Sequence, residues 1–254
     1  MPDLDRLLPA LLDLVARAGS VVLEHYARPA HAALKADASP VTEADRAAEA
    51  VIEAGLRALD PAIPIVAEEA VAAGRVPTVA PGAAFWLVDP LDGTKEFLSR
   101  NGEFTVNVAL VEHGEPILGV VAAPAVDRSW WGVAGRGACT RGDGGARPIR
   151  VRPRPVGGLV AVASRSHRDA ETDAWLAARG IVETISAGSS LKLCLVAEGR
   201  ADVYPRFGRT MEWDIAAGHA VLAAAGGRVE TVDGRPLRYG KPGFENPPFI
   251  AWGG

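Results

Sequence analysis

Segments of helical period alternate with short apolar runs along most of the chain, and this alternation limits the fold to mixed α and β. Leu4, Leu7, Leu8, Leu11, Leu12, Val15, Ala18 and Val22 recur at three- and four-residue steps, the pattern of an amphipathic helix. A second helix is predicted from Thr42, because Thr42-Glu43-Ala44-Asp45 resembles a capping box and residues 47–59 favour helix before Pro61 interrupts them. Strands are predicted at 63–67, 85–88, 104–111 and 117–123, the last two forming a hairpin across His113-Gly114-Glu115-Pro116. Between Asp127 and Arg154 the composition shifts to Gly, Pro and Arg, which predicts a solvated, loop-rich face and a domain seam near its end, dividing the chain into 1–154 and 155–254. Beyond the seam the pattern predicts a strand at 159–163, a helix at 169–179, a strand at 181–186, a helix at 191–198, a strand at 201–204 and a helix at 215–225. Strands near Val229 and Phe249 close the chain.

A chain of 254 residues with 48% hydrophobic and 23% charged residues buries a core without staples and fits neither a disordered nor a fibrous class. Its net charge of −4 repels polyanions, so no nucleic-acid polymer is expected as a partner, and an anionic substrate must be drawn by local charge. Cys139 and Cys194 lack the spacing of a zinc site and read as reduced thiols. No apolar run reaches the ~18 residues of a membrane span, and the acidic start is unlike a signal peptide, so no integral membrane segment and a cytoplasmic location are expected.

Chemistry concentrates at Trp86-Leu-Val-Asp89-Pro-Leu-Asp92-Gly-Thr94, where an apolar strand runs into two carboxylates. Pro90 holds Asp89 extended and Gly93 permits a tight turn, so both carboxylates and the Leu91 carbonyl can converge, a hard-oxygen set that suits Mg²⁺. Residues 94–98 can then begin a short helix whose free N–H groups face an anion beside the metal. The plain alternative is a surface turn, since Asp, Pro and Gly are common turn residues. Equally, Glu68-Glu69 reads alone as a solvated pair, and Asp45 and Asp214 read alone as helix caps.

Taken together, Pro40-Val-Thr-Glu-Ala-Asp45, Ala67-Glu-Glu69, Asp89-Pro-Leu-Asp-Gly-Thr94 and Trp213-Asp-Ile-Ala-Ala-Gly218 resemble the lithium-sensitive, Mg²⁺-dependent phosphatases of the inositol monophosphatase superfamily. The resemblance runs nearly end to end. It narrows at Asp92-Gly-Thr-Lys-Glu-Phe97, Asn101-Gly-Glu-Phe-Thr105, Ser164-Arg-Ser-His167, Gly188-Ser-Ser-Leu-Lys192 and Tyr204-Pro-Arg-Phe-Gly208 to the CysQ-type 3′(2′),5′-bisphosphate nucleotidases. Ala67 departs from the Ser or Gly that the family usually carries before the glutamate pair.

What the resemblance implies is an α+β fold, a layered αβαβα sandwich of the inositol monophosphatase and fructose-1,6-bisphosphatase type, with two or three Mg²⁺ per site. It implies that Glu68, Asp89 and the Leu91 carbonyl hold one ion, and Asp89, Asp92 and Asp214 another. Asp45 and Thr94 would orient and deprotonate the attacking water. Substrate contacts would come from Gly93, Thr94, Lys95, Ser164, His167, Gly188, Ser189, Ser190, Lys192, Arg206 and Asp214. The implied reaction removes the 3′-phosphate of adenosine 3′,5′-bisphosphate to give AMP, in sulfate assimilation and recycling of that nucleotide. Phosphatases of inositol phosphates or of fructose 1,6-bisphosphate are the near alternative, and a non-catalytic Mg²⁺ or nucleotide-binding protein the distant one. A homodimer and a peripheral position on the inner membrane are left open.

Overall fold

The computed structural model describes residues 3–28, 33–34, 40–165 and 169–254. Helix α1 (Leu4–Tyr26) starts at Asp3, whose side chain accepts the N–H groups of Asp5 and Arg6, and a two-residue pair, β1 (Ala33–Leu34) and β2 (Pro40–Val41), follows it. Thr42 then caps α2 (Glu43–Leu59) with the reciprocal bonds of a capping box, as the Thr42 to Asp45 pattern predicts. Strand β3 (Ile65–Ala67) leads directly into the short helix α3 (Glu68–Ala72). Next come β4 (Phe85–Asp92), α4 (Thr94–Leu98), and the antiparallel hairpin of β5 (Thr105–Glu112) and β6 (Glu115–Ala123).

Residues 127–154 are not the loop-rich face that their composition suggests. They form β7 (Arg128–Val133), β8 (Gly137–Gly142) and β9 (Gly145–Ile149), which extend the same sheet by antiparallel pairing. Gly and Pro mark the turns and the exposed edge strand β9 here, while Trp130, Trp131 and Val133 are buried. The seven-stranded order is β3-β4-β5-β6-β7-β8-β9.

The remainder builds a five-stranded sheet ordered β11-β10-β12-β16-β14, from β10 (Val160–Ser164), β11 (Glu183–Ala187), β12 (Val203–Arg206), β14 (Arg228–Thr231) and β16 (Phe249–Trp252). Helices α5 (Ala170–Ala178), α6 (Leu191–Ala197) and α7 (Glu212–Ala224) are its partners, and β13 (Thr210–Met211) pairs with β15 (Glu245–Asn246) beside α7.

Side-chain alternation along the strands sorts these elements into five layers. Trp86, Val88, Val108, Leu110 and Val120 face α1 and α2, burying Leu11, Leu14, Ile52 and Leu56. The alternate residues Phe85, Leu87, Ala109, Val111 and Val121 face α6 and α7, which also meet Val160, Val162, Tyr204 and Phe249 of the smaller sheet. The far side of that sheet, through Ala161, Val203 and Ile250, packs on Leu176 of α5. The order is therefore α, β, α, β, α. The buried cluster of the middle layer contains residues from both sides of residue 154.

Helix α7 lies unusually close to the large sheet because Gly119 and Gly132 are cross-strand partners beneath it. A Cβ at Gly119 would come within 2.5 Å of the Ala217 carbonyl, and one at Gly132 within 2.5 Å of the Ala220 carbonyl. This approach sets the height at which the start of α7 meets the end of β4. Among the described residues no helix is long and apolar enough to cross a membrane, and Cys139 and Cys194 are both free thiols.

Candidate active site

The end of β4 does more than stop. Asp89 pairs with Asn107 and Asp92 with Thr105, so two β4 residues, Pro90 and Leu91, stand opposite one residue of β5. This is a β-bulge, where Pro90 removes no ladder bond that the sheet needs. On a regular strand residues three apart point to opposite faces. The extra residue instead places Asp89 and Asp92 on one face, opposite Asn107 and Thr105, while Leu91 turns into the α1/α2 layer beside Phe97. The surface-turn reading therefore fails: Asp89 is 2% exposed, and its Oδ1 accepts the Leu91 N–H at 3.1 Å.

Gly93 makes the next turn at φ 91°, in the left-handed region, and a Cβ there would stand 2.2 Å from Ser189 Oγ. The turn launches α4 with Thr94 as its first residue, as expected from the sequence. Thr94 Oγ1 donates to Asp45 Oδ1 at 3.4 Å, and Asp45 Oδ2 accepts the Thr42 N–H at 2.8 Å and the Thr42 hydroxyl at 2.7 Å. Asp45 thus caps α2 and faces Thr94 with different oxygens.

Two other helix starts bring the remaining carboxylates. Glu68 is the first residue of α3, immediately after β3, which runs parallel to β4. Asp214 is the third residue of α7, with Oδ2 accepting the Met211 N–H at 2.9 Å. Burial raises the Asp89 carboxyl well above its ordinary range, and the charges of Glu68, Asp92 and Asp214 push it the same way. The Glu68 carboxyl raises Asp89 through its charge and, to a smaller extent, by hydrogen bonding. Burial also raises Asp214, helped by Asp92 and Glu68. Asp92 is pushed up to about 6 by burial, a shift that Lys192 and the Ser190 N–H oppose.

Glu68, Asp89, Asp92 and Asp214 are therefore a mutually repelling oxygen set in which Asp89 is buried and the other three are half-buried. Such a donor set fits a hard divalent cation, whose charge would offset the repulsion. Among the described residues no three acidic, His or Cys groups are already gathered as a ready ligand shell, so a cation would draw these carboxylates inward.

Two cations lie close enough to the carboxylates to act on their charge. Lys192 on α6 is buried, its pKa pushed down to about 8 by burial, while Asp92 works to hold it charged. Its Nζ donates to the Ser189 carbonyl at 2.5 Å and sits 5.5 Å from the Tyr204 ring centre. Arg206, also buried, donates to the Arg209 carbonyl at 3.1 Å, and its charge acts on Lys192 and Asp214. Ser164 ends β10 and is buried; Lys95 on α4 is exposed. His167 lies outside the described residues.

The hydroxyls of Ser189 and Ser190 are turned toward the carriers of the carboxylates. Ser189 Oγ lies 2.8 Å from the Asp92 carbonyl and 2.7 Å from that of Glu103, and Ser190 Oγ donates to the Asp214 carbonyl at 2.7 Å. They tie β4 and α7 together at the site. Gly188 directs its N–H to Glu103 Oε2 at 2.8 Å.

Three further residues reach the site without having been singled out as contacts. Asn107, 1% exposed, donates to Asp92 Oδ2 at 3.4 Å; the signal was an Asn inside the apolar run of β5. Glu49, 4% exposed, accepts the Glu69 N–H at 2.8 Å and so caps α3, where Ala67 supplies no side-chain cap of its own. Its signal was a carboxylate four residues after Asp45 on the buried stripe of α2. Glu103 lies in the Asn101-Gly-Glu-Phe motif and joins three segments.

Known proteins are similar to this chain in sequence and fold. The inositol monophosphatase family model matches residues 3–249. The 3′(2′),5′-bisphosphate nucleotidase CysQ of Escherichia coli O157:H7 is 49% identical over 247 residues, covering 96% of this chain and 98% of that protein. The crystal structure of CysQ from Bacteroides thetaiotaomicron is similar with a TM-score of 0.80 and 40% identity, covering 96% of each chain. The inositol monophosphatase structure from Anabaena is similar with a TM-score of 0.77 and 28% identity, covering 100% of this chain and 92% of that one. On the extent of the family match and of these likenesses, the chain belongs to the inositol monophosphatase family.

Proposed function

We propose that the protein is a Mg²⁺-dependent 3′(2′),5′-bisphosphate nucleotidase that hydrolyses the 3′-phosphate of adenosine 3′,5′-bisphosphate to give AMP. The observation that carries this reading is the juxtaposition of the Glu68, Asp89, Asp92 and Asp214 carboxylates with the buried cations Lys192 and Arg206. An acidic cluster alone repels a phosphate, and a basic pocket alone supplies no ligands for Mg²⁺. The pair accommodates a substrate with two anionic groups. The name carried by the 49%-identical relative supports the nucleotide over other phosphate esters.

Glu68, Asp89, the Leu91 carbonyl, Asp92 and Asp214 would hold the ions, two or three in number. When bound, Mg²⁺ supplies Lewis acidity toward the phosphate oxygens and acidifies water. Asp45 and Thr94 form the proton-handling pair: the Asp45 carboxylate accepts from the Thr94 hydroxyl, leaving the Thr94 oxygen to accept from the attacking water. Residues 1–154 supply Glu68, Asp89 and Asp92 and would form a metal-binding subdomain, which residues 155–254 complete with Asp214, Lys192 and Arg206. Lys95, Ser164 and His167 belong to the proposed substrate contacts, with the turn at residues 188–190. A cytoplasmic setting suits the two free thiols.

The test is phosphate release from adenosine 3′,5′-bisphosphate, inositol 1-phosphate and fructose 1,6-bisphosphate at fixed Mg²⁺, with chromatography of the nucleotide product. The bisphosphate nucleotide is expected to be turned over fastest and to yield AMP. Adenosine 3′-phosphate as product, or a preference for either sugar phosphate, overturns the reading.

A further inference from the structure

Two motifs outside the carboxylate set, Asn101-Gly-Glu103-Phe and Ser164-Arg165, meet in the fold although Glu103 and Arg165 are 62 residues apart. The Arg165 guanidinium donates to both Glu103 carboxylate oxygens at 2.7 Å, and its Nη2 donates also to the Ser186 carbonyl at 3.1 Å. Glu103 Oε2 accepts the Gly188 N–H at 2.8 Å. The backbone of Glu103 has a different set of partners. Its N–H is held by Asn101 Oδ1 at 2.8 Å, and its carbonyl lies 2.7 Å from the Ser189 hydroxyl that also reaches Asp92. The side chain therefore holds residues 186–188, and the main chain holds the carboxylate end of the site.

An ion pair whose side chains are 45% and 25% exposed contributes little to folding. Its geometry has a clearer consequence for charge. A carboxylate beside a turn proposed to receive a phosphate would oppose that ligand, and a bidentate arginine cancels the charge while leaving an oxygen lone pair for the Gly188 N–H. We infer that the Glu103–Arg165 pair is a positioning clasp that sets specificity for substrates with a second phosphate, by fixing residues 186–188 where the chain enters the turn, without touching the phosphate that reacts. The inference rests on the proposed bisphosphate activity.

The test compares the wild type, Glu103→Gln, Arg165→Ala and the double variant on adenosine 3′,5′-bisphosphate and on p-nitrophenyl phosphate, a monoester with no second phosphate. Thermal melts on the same preparations establish that each is folded. Arg165→Ala leaves the Glu103 charge uncompensated and is expected to raise KM for the bisphosphate about tenfold, with kcat/KM for the monoester within about twofold. Glu103→Gln is expected to raise that KM about threefold, and the double variant to recover from the Arg165→Ala value toward it. Equal losses on both substrates overturn the inference, as does a double variant no better than Arg165→Ala, which would mean that Arg165 itself contacts substrate. A wild-type preference for the bisphosphate that survives in all variants overturns the clasp alone. A wild type without that preference overturns the functional reading as well.

Discussion

Thr94 Oγ1 donates to one oxygen of Asp45 at 3.4 Å while the other oxygen of the same carboxylate is fully engaged by Thr42. One residue thus terminates a helix and faces the site, so capping and catalysis are not alternatives at this position.

The division between the two oxygens predicts separable effects in Asp45→Asn. The remaining amide oxygen can still serve the cap, so the stability cost should be at most about 1 kcal/mol. Loss of the acceptor for Thr94 should lower kcat by roughly 10²- to 10⁴-fold. Thr94→Ala should match it, and the double variant should lose much less than the product of the two effects. Thermal melts and kcat on the same preparations decide this; a folded Asp45→Asn enzyme with wild-type kcat leaves Asp45 as a cap only.

Carboxylate repulsion predicts that function and stability oppose each other at Asp89. Removing one charge from the carboxylate set should leave the chelator-treated protein as stable as the wild type or more so, because Asp89 sits among Glu68, Asp92 and Asp214. Mg²⁺ should raise the melting temperature of the wild type and not that of Asp89→Asn. Activity of the variant should be lost. An equal Mg²⁺-induced shift in both proteins would remove Asp89 from the ligand set.

Glu49 gives a pH prediction with a definite sign. Burial, with the charges of Glu69 and Glu53, pushes its carboxyl up to about 7 from 4.5, against the N–H groups of Glu69 and Ala70. The folded state therefore holds the proton more tightly than the unfolded state. The contribution is fully present below pH 4.5 and is lost as pH rises through 7. Melts in chelator from pH 5 to 8 should show Glu49→Gln gaining stability relative to the wild type as pH rises. A difference that is flat with pH contradicts the assignment.

Gly93→Ala should be damaging although it adds one methyl. The left-handed turn disfavours a side chain, and the new carbon would collide with Ser189 Oγ. A stability loss of about 1–3 kcal/mol is expected, with a larger loss of kcat because Asp92 and Thr94 flank the turn. Urea denaturation and phosphate release measure the two. A variant of wild-type stability and activity would show that the turn tolerates rearrangement.

The amino-acid sequence by itself determined the longer helices, the main strands outside residues 127–154 and which residue types carry the chemistry. The apolar period of α1, the capping box at Thr42 and the hairpin around Gly114 are local, because each rests on contacts within a few residues. The acidic motifs were legible for the same reason. Composition misled at residues 127–154, where Gly, Pro and Arg occupy strands whose stability comes from successive pairing outward from β6, β7 on β6, β8 on β7 and β9 on β8, rather than from local preference.

Only the tertiary structure decided what those motifs do together. The bulge at Pro90 and Leu91 puts Asp89 and Asp92 on one face, and the close packing of α7 over Gly119 and Gly132 brings Asp214 to them. The positions of Glu49, Glu103 and Asn107 carried a local signal, but their partners did not. Their partners at Glu69, Arg165 and Asp92 lie 20, 62 and 15 residues away, and hydrogen bonds over such separations exist only once packed layers hold both ends in place.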